Sequence, residues 1–254
     1  MLCTYIRDSY RNEEASELAD AIDDIASPID QNGWASAGIY CFWDTSNNEV
    51  LYIGLAVNLS SRFRQHNGLI SCPEKGCKRE LINRWFESNE ELGYSILVQS
   101  KLSQPAISNN TKEDINDEFK KKYPQLFYGI EAIQFSEGLL IEAENILNSS
   151  LPPWNRIGGS KSGALKASND NVYLSKLFTN EITDLYVAMR TIRQISSNPT
   201  FEAYELYLHG VRLFMAVHDA SLSKAWEMVP DFFEEKNRII SEEYIPGINE
   251  LLSE

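Results

Sequence analysis

One stretch of the chain, GIYCFWDTSNNEVLYIGLAVNLSSRFRQH from Gly38 to His66, constrains the fold more than any other. It holds two short runs rich in aromatic and β-branched residues, separated by DTSNNE, a polar sequence typical of a turn. Two such runs around a turn predict a β-hairpin. The stretch continues as NLSSRFRQH, where Asn58 is a favourable N-cap, so we expect a helix directly after the second strand.

The rest of the chain adds one strand and several helices to this hairpin. Residues 93–102, GYSILVQSKL, predict a third strand, and residues 136–150, SEGLLIEAENILNSS, predict a helix with one buried stripe. An acidic helix is expected over 12–27, and after about residue 169 the pattern is helical almost to the end. The predicted fold is therefore α/β, with a small three-stranded antiparallel sheet flanked by helices, plus an all-α C-terminal domain.

These elements predict three parts of the chain. Residues 1–30 form an acidic helical lead-in, residues 31–165 form the α/β domain, and residues 166–254 form the helical domain. A polar insertion is expected around 103–125, because this segment is too long for a simple connection. The chain has no apolar run of about eighteen residues and no signal peptide pattern, and its four cysteines are too few for a disulfide framework. We expect a cytoplasmic protein that does not contact a membrane.

The charge distribution is uneven. The formal net charge of -14 argues against a protein that coats nucleic acid by charge alone, because phosphate affinity depends on lysine and arginine. Residues 1–30 carry two basic and eight acidic side chains, and residues 166–254 carry eight and fourteen. Residues 62–84, in contrast, carry six basic and two acidic side chains. The sequence therefore predicts a local basic patch between acidic flanks.

Two tripeptides in the predicted hairpin are separated by a defined spacing. Gly38-Ile39-Tyr40 is followed after eleven residues by Tyr52-Ile53-Gly54, and Arg62 follows Tyr52 by ten residues. With a glutamate in the helix over 136–150 and an asparagine in PPWN, this ordered set resembles the catalytic module of the GIY-YIG nuclease superfamily. The resemblance runs from about residue 34 to 157, roughly half of the chain.

The resemblance implies a metal-dependent endonuclease that hydrolyses phosphodiester bonds, with Mg²⁺ or Mn²⁺ as cofactor. It implies that Arg62 clamps the scissile phosphate and that one tyrosine of the pair Tyr40 and Tyr52 positions or deprotonates the attacking water. A tyrosine with an ordinary pKa of about 10 is a poor base at neutral pH, so this role requires a neighbouring cation or metal. His66 matches a family histidine that acts as a phosphate contact or base, and Asn155 matches the asparagine that orders the site.

The metal-binding glutamate has two candidates in LLIEAENILN. Alignment with the homing endonucleases selects Glu144, whereas alignment with the repair subunits selects Glu142. These positions are two residues apart, so their side chains point in different directions on a helix. Glu144 is the preferred ligand and catalytic residue, with Glu142 as the alternative.

The basic patch is expected to contact nucleic acid. Its candidate residues are Arg64, Lys75, Lys78, Arg79 and Arg84. DNA is the expected substrate, in restriction, repair or defence, and RNA remains open. The acidic C-terminal domain suits a homodimer contact or a protein partner better than a duplex. The alternative function is a catalytically silent module that retains the fold and binds nucleic acid or protein.

Overall fold

The structure is a computed structural model that describes residues 2–29, 33–72, 76–104, 107, 129–230 and 234–253. Its centre is a four-stranded antiparallel sheet of β1 (Leu2–Tyr10), β2 (Gly38–Trp43), β3 (Val50–Ala56) and β4 (Leu92–Gln99). The strand order is β1-β4-β2-β3. The predicted α/β class, the hairpin and the strand over 93–102 are confirmed.

The prediction of three strands is wrong, because β1 forms a fourth strand beside β4. Its C-terminal half contains Arg7-Asp8-Ser9, a polar run that hid the strand pattern. These polar groups have partners in the folded chain. Arg7 donates to the carbonyl oxygens of Leu177 and Ile182, and Asp8 forms an ion pair with Arg193 at 3.1 Å. Paired in this way, polar side chains are tolerated in a largely buried strand.

Helices pack on both faces of the sheet and form a bundle after it. Two 3₁₀ turns occupy Asn12–Glu14 and Lys101–Ser103. The helices are α1 (Ala15–Ile25), α2 (Leu59–His66), α3 (Arg79–Phe86), α4 (Gly129–Asn148), α5 (Lys161–Ala164), α6 (Tyr173–Lys176), α7 (Ile192–Ser197), α8 (Pro199–His218), α9 (Leu222–Met228), α10 (Glu235–Ser241) and α11 (Ile248–Ser253).

The two faces of the sheet build two separate cores. One core joins Tyr40, Phe42 and Tyr94 to the apolar sides of α1 and α2. The other joins Ile39, Ile53 and their neighbours to α4. Every residue of β2 and β4 is buried, which explains why these strands read as continuous apolar runs. A third core lies within α8 and the helices that follow it.

Helix α2 begins where the sequence predicts. The Asn58 side chain accepts a hydrogen bond from the backbone N–H of Ser61 at 2.7 Å and so caps the first turn. Arg62 and His66 are four residues apart in this helix, so their side chains lie one turn apart on the same side. This side faces the hairpin, which brings the predicted site residues toward the tyrosines.

The prediction of almost continuous helix after residue 169 is wrong between α6 and α7. Residues 177–191 are mostly turns there, and Val187 forms a parallel bridge with Tyr5 of β1. Two buried or partly buried arginines bind the carbonyl groups that a helix would otherwise use. Arg7 binds those of residues 177 and 182, and Arg212 binds those of residues 185 and 187. Such long-range partners are invisible to helical periodicity.

The remaining predictions on organisation have mixed outcomes. The helix predicted over 12–27 is confirmed as α1 with its preceding 3₁₀ turn, and the helix over 136–150 is part of α4, which starts earlier. The insertion predicted around 103–125 lies largely outside the described residues. The domain boundaries at 30 and 165 stay predictions. Among the described helices, none is long and apolar enough to cross a membrane.

Candidate active site

The two motif tyrosines lie on the same face of the hairpin. Tyr40 is opposite Gly54 in the β2–β3 register, and Tyr52 is opposite Phe42, so the two rings are diagonal neighbours with centroids 5.8 Å apart. The absence of a side chain at Gly54 permits this contact. A Cβ atom at Gly54 would lie only 2.8 Å from the Tyr40 hydroxyl and from the Tyr52 ring. The glycine of the second tripeptide therefore makes room for both phenols.

His66 is buried beneath Tyr40, and both of its ring nitrogens have partners. Nδ1 accepts from the backbone N–H of Lys78 at 3.0 Å, and Nε2 lies 2.8 Å from the Tyr40 hydroxyl. Burial lowers the pKa of His66 to about 3, with a smaller contribution from the charges of Arg62 and Lys78. The ring is therefore neutral at pH 7. Since a backbone N–H can only donate, Nε2 carries the hydrogen and donates it to Tyr40.

This tautomer sets the direction of a hydrogen-bond chain. The Tyr40 oxygen accepts from His66 and from Nε of Arg62, which is 3.3 Å away, and its ring lies beside that of Tyr52. Burial raises the pKa of Tyr52, and the neighbouring Tyr40 and the charge of Arg62 oppose that rise. Burial also raises the pKa of Tyr40 well above its ordinary value. The chain runs from the backbone N–H of Lys78 through His66 to Tyr40, and Tyr52, next to Tyr40, lines the adjacent cleft.

Arg62 is held by neutral acceptors. Besides the Tyr40 contact, Nη1 donates to the Gln65 side chain at 3.0 Å, and Nη2 donates to the carbonyl of Gly76 at 2.9 Å. Among the described carboxylates, none lies within 4.0 Å of this guanidinium. Arg62 is therefore oriented without being neutralised, which suits a group that binds an anion.

A cleft of about 790 Å³ opens beside Tyr52, and we call it the tyrosine cleft. Helix α4 lines one wall with Gln134, Glu137 and Ile141, which share one face at helical spacing. The acidic residue that the structure brings to the tyrosines is thus Glu137, which sequence reasoning missed. Burial raises the pKa of Glu137, and a hydrogen bond with the backbone of Leu55 opposes the rise.

The structure does not bring Glu144 or Glu142 to the tyrosine cleft. Glu144 lies two turns further along α4, roughly 10 Å from Glu137 along the axis, and lines another cleft with Lys176. Its carboxylate accepts from the Asn148 side chain at 2.8 Å, and burial raises its pKa. Glu142 is partly buried and accepts from the Asn145 side chain at 3.2 Å. The helical spacing of Glu137 with Gln134 and Ile141 is the signal that could have identified it.

Asn155 attaches the other wall of the cleft to the sheet. Its side chain accepts from the N–H of Ile53 at 3.0 Å and donates to the carbonyl of the same residue at 2.9 Å. Strand β3 is at the edge of the sheet, so these backbone groups are open to a side-chain amide. The contact holds Arg156 and Ile157 at the rim of the tyrosine cleft.

The basic residues predicted from sequence have different environments. Arg64 forms an ion pair with Asp20 of α1. Lys78 is only 7% exposed and donates to the Trp154 carbonyl at 2.7 Å, with its ammonium 4.3 Å from the centroid of the Tyr52 ring. Lys75 lies outside the described residues. Two predicted residues are exposed and line a second cleft next to the first, Arg79 and Arg84.

With this geometry in view, comparisons of the chain with protein-family models, with curated proteins and with solved structures find no match in any of the three. The site also lacks a preformed cage for a metal. Across the described ranges, no three His, Cys, Asp or Glu side chains group so that they could hold an ion by themselves. The functional argument therefore depends on the arrangement of residues in the tyrosine cleft.

Proposed function

We propose that this protein is a Mg²⁺- or Mn²⁺-dependent endonuclease of the GIY-YIG type that hydrolyses phosphodiester bonds of DNA. One observation carries the proposal: Tyr52 and Glu137 line the same cleft, and the ring of Tyr52 lies beside that of Tyr40, which accepts a hydrogen bond from Arg62. Hydrolysis of a phosphodiester needs a positioned water, a cationic partner for the phosphoryl oxygens and help for the leaving alkoxide. In this proposal Tyr52 supplies the first requirement from within the cleft, and Arg62 supplies the second from beside it, where its Nη2 donates to Gly76 of the cleft wall.

In this proposal Arg62 binds the scissile phosphate. The planar guanidinium matches two phosphoryl oxygens, and charge-assisted hydrogen bonds of this kind are about twice as strong as neutral ones. Its three neutral acceptors fix its direction before substrate arrives. A preoriented donor stabilises the transition state without reorganisation during the reaction.

Tyr52 is the tyrosine that we assign to the attacking water. It is the motif tyrosine that lines the cleft, so its hydroxyl is the one of the pair placed to meet a water there. The ammonium of Lys78 lies 4.3 Å from the ring centroid and holds the ring against the cleft wall. His66 acts at one remove from the chemistry, because its hydrogen bond holds Tyr40, and the Tyr40 ring packs beside that of Tyr52.

Glu137 fits the role of metal ligand. Mg²⁺ usually keeps several waters and binds proteins through one or two carboxylates, so a single acid in an open cleft matches its needs. The ion would supply charge stabilisation at the phosphoryl oxygens. Because burial raises the pKa of Glu137, a neighbouring cation favours its ionised form.

A nicking assay on supercoiled plasmid with Mg²⁺ tests the proposal with two matched variants, Glu137→Gln and Glu144→Gln. Both acids lie on α4, seven residues apart, and the substitution is the same. We expect Glu137→Gln to lower the rate by about 10³-fold, roughly 4 kcal/mol, and Glu144→Gln to lower it by less than about fivefold. If Glu144→Gln lowered the nicking rate more than Glu137→Gln, the role of metal ligand would belong to Glu144. Equal nicking rates with Mg²⁺ and with a metal chelator would reject a metal-dependent mechanism.

A catalytically silent binding module is the second candidate. It is favoured by the raised pKa values of Tyr40 and Tyr52, because a neutral phenol is a poor base for an attacking water. The same plasmid assay separates the two functions, because a silent module binds DNA without nicking it at any Mg²⁺ concentration. Nicking that Glu137→Gln abolishes would exclude the silent module.

A further inference from the structure

A second cleft of about 910 Å³ adjoins the tyrosine cleft, and we call it the arginine cleft. The two clefts share Gly76, Lys78 and Arg156 in their walls, so they adjoin at these residues. The arginine cleft is lined further by Arg79 and Arg84 of α3. A ligand long enough to leave the tyrosine cleft on this side would enter the arginine cleft directly.

The three arginines of this cleft carry uncompensated charge. Arg79, Arg84 and Arg156 are exposed, and within the described part of the chain no carboxylate lies within 4.0 Å of them. Glu80 is the one acidic residue among the described residues that line the cleft. Unpaired cations around a concavity are notable in a chain of net charge -14, because acidic partners are abundant elsewhere.

The neutral residues of the cleft do not oppose this charge. Cys72 and Cys77 line the same cleft as free thiols. Burial raises the pKa of Cys72 to about 11, and its contact with the Cys77 thiol adds to the rise. Cys72 is therefore an uncharged thiol at pH 7, and it leaves the field of the arginines intact.

We propose that the arginine cleft binds the phosphate next to the scissile one, so that the substrate is a nucleic-acid strand that occupies both clefts. This inference rests on the proposed hydrolysis in the tyrosine cleft. Arg156 is the exposed cation that both clefts share, and the Asn155 contact with β3 holds it in position. A small isolated diester would fill the tyrosine cleft alone and would gain nothing from Arg84.

Binding of a fluorescein-labelled oligonucleotide, measured by anisotropy without Mg²⁺ between 50 and 300 mM KCl, tests the inference. Counterion release predicts that loss of one phosphate contact lowers the slope of log K against log salt by about one. We expect Arg84→Gln and Arg156→Gln each to produce this change. Arg238→Gln is the matched control, since Arg238 is an exposed arginine of α10 near Glu242; its slope should equal that of the wild type.

Hydrolysis supplies the second measurement. With Mg²⁺ present, the ratio of kcat/KM for plasmid to that for bis(p-nitrophenyl) phosphate should fall about tenfold in Arg84→Gln, which corresponds to roughly 1.4 kcal/mol. An unchanged salt slope in both arginine variants would overturn the arginine cleft, as would the absence of measurable binding by the wild type at 50 mM KCl. Normal slope changes without any hydrolysis would instead reject the proposed nuclease and leave the binding site standing.

Discussion

Two arginines of this protein, Arg62 and Arg212, show how environment decides what a guanidinium can do. Arg212 is 3% exposed and forms an ion pair with the fully buried Glu205 at 2.9 Å. It also donates to the carbonyl oxygens of residues 185 and 187, so its hydrogen bonds and its charge are used within the fold. Arg62 has neutral acceptors only among the described residues, and one of them, Gly76, lines the tyrosine cleft.

The difference separates a structural arginine from one that can bind an anion. A guanidinium with a carboxylate partner has its charge balanced, and an incoming phosphate would have to compete with that partner. A guanidinium oriented by a phenol, an amide and a carbonyl keeps its charge for a ligand. Four predictions test this comparison, in order of decreasing effect.

The largest effect is expected on stability from Arg212→Met. Among the described residues, the substitution leaves the buried Glu205 carboxylate with the N–H of Met189 and the hydroxyl of Tyr244 as its hydrogen-bond partners. Breaking a buried pair in this way costs about 3–5 kcal/mol of unfolding free energy. Urea unfolding followed by circular dichroism measures it. A loss below about 1 kcal/mol would show that Arg212 does not stabilise the fold as described.

Arg62→Ala should do the reverse, with a large loss of activity and a small loss of stability. We expect the plasmid nicking rate to fall about 10³-fold, roughly 4 kcal/mol of transition-state stabilisation. The unfolding free energy should change by less than about 1 kcal/mol, because its acceptors are neutral and partly accessible. Retention of the wild-type rate in Arg62→Ala would break the comparison between the two arginines.

Gly54→Ala tests whether Tyr40, a neutral hydrogen-bond partner of Arg62, must keep its position beside Tyr52. The added Cβ would be 2.8 Å from the Tyr40 hydroxyl, and overpacking of this kind costs about 1–3 kcal/mol. Gly158→Ala is a matched control for stability, since a Cβ at Gly158 meets nothing within 4 Å. Thermal unfolding of both variants gives the measurement. Equal melting temperatures would contradict the close packing of the two phenols.

The smallest effect concerns the pH dependence of stability, because each arginine has a buried histidine nearby. Burial lowers the pKa of His66 and of His209 to about 3, and the charges of Arg62 and Arg212 add to the effect. An unfolded histidine has a pKa of about 6.5, so the unfolded chain binds protons that the folded chain does not. The neutral, buried histidines therefore cost the folded state nothing above pH 6.5. As the pH falls from 6.5 toward 3, the unfolded chain is increasingly favoured by proton binding and the free energy of unfolding decreases.

Each histidine should contribute up to about 1.4 kcal/mol per pH unit within that window. Replacement by glutamine should remove its share of the slope, as measured by urea unfolding at pH 7, 6 and 5. The two sites should behave alike, because burial is the main cause at both. A slope that neither His66→Gln nor His209→Gln reduces would show that both rings are accessible to protons in the fold.

The sequence by itself determined the hairpin, helix α2 and the third predicted strand, because these depend on local patterns. Runs of aromatic and β-branched residues, turn residues and the Asn58 cap each act over a few residues, so the sequence shows them directly. The resemblance of the motifs to the GIY-YIG module implied in addition that certain residues of the hairpin and α2 would meet. Tyr40, Tyr52, Arg62 and His66 lie together in the structure, as that resemblance implies.

The tertiary structure decided everything that depends on partners far apart in the chain. Strand β1 is recognisable only once Arg193 pairs with Asp8, and the turns after α6 exist because Arg7 and Arg212 bind their carbonyl groups. The acid of the site is another case, since only the packing of α4 against the hairpin shows that Glu137 lines the cleft with Tyr52. Helical periodicity in the sequence indicates which face of a helix is buried, but it does not indicate which other element packs against that face.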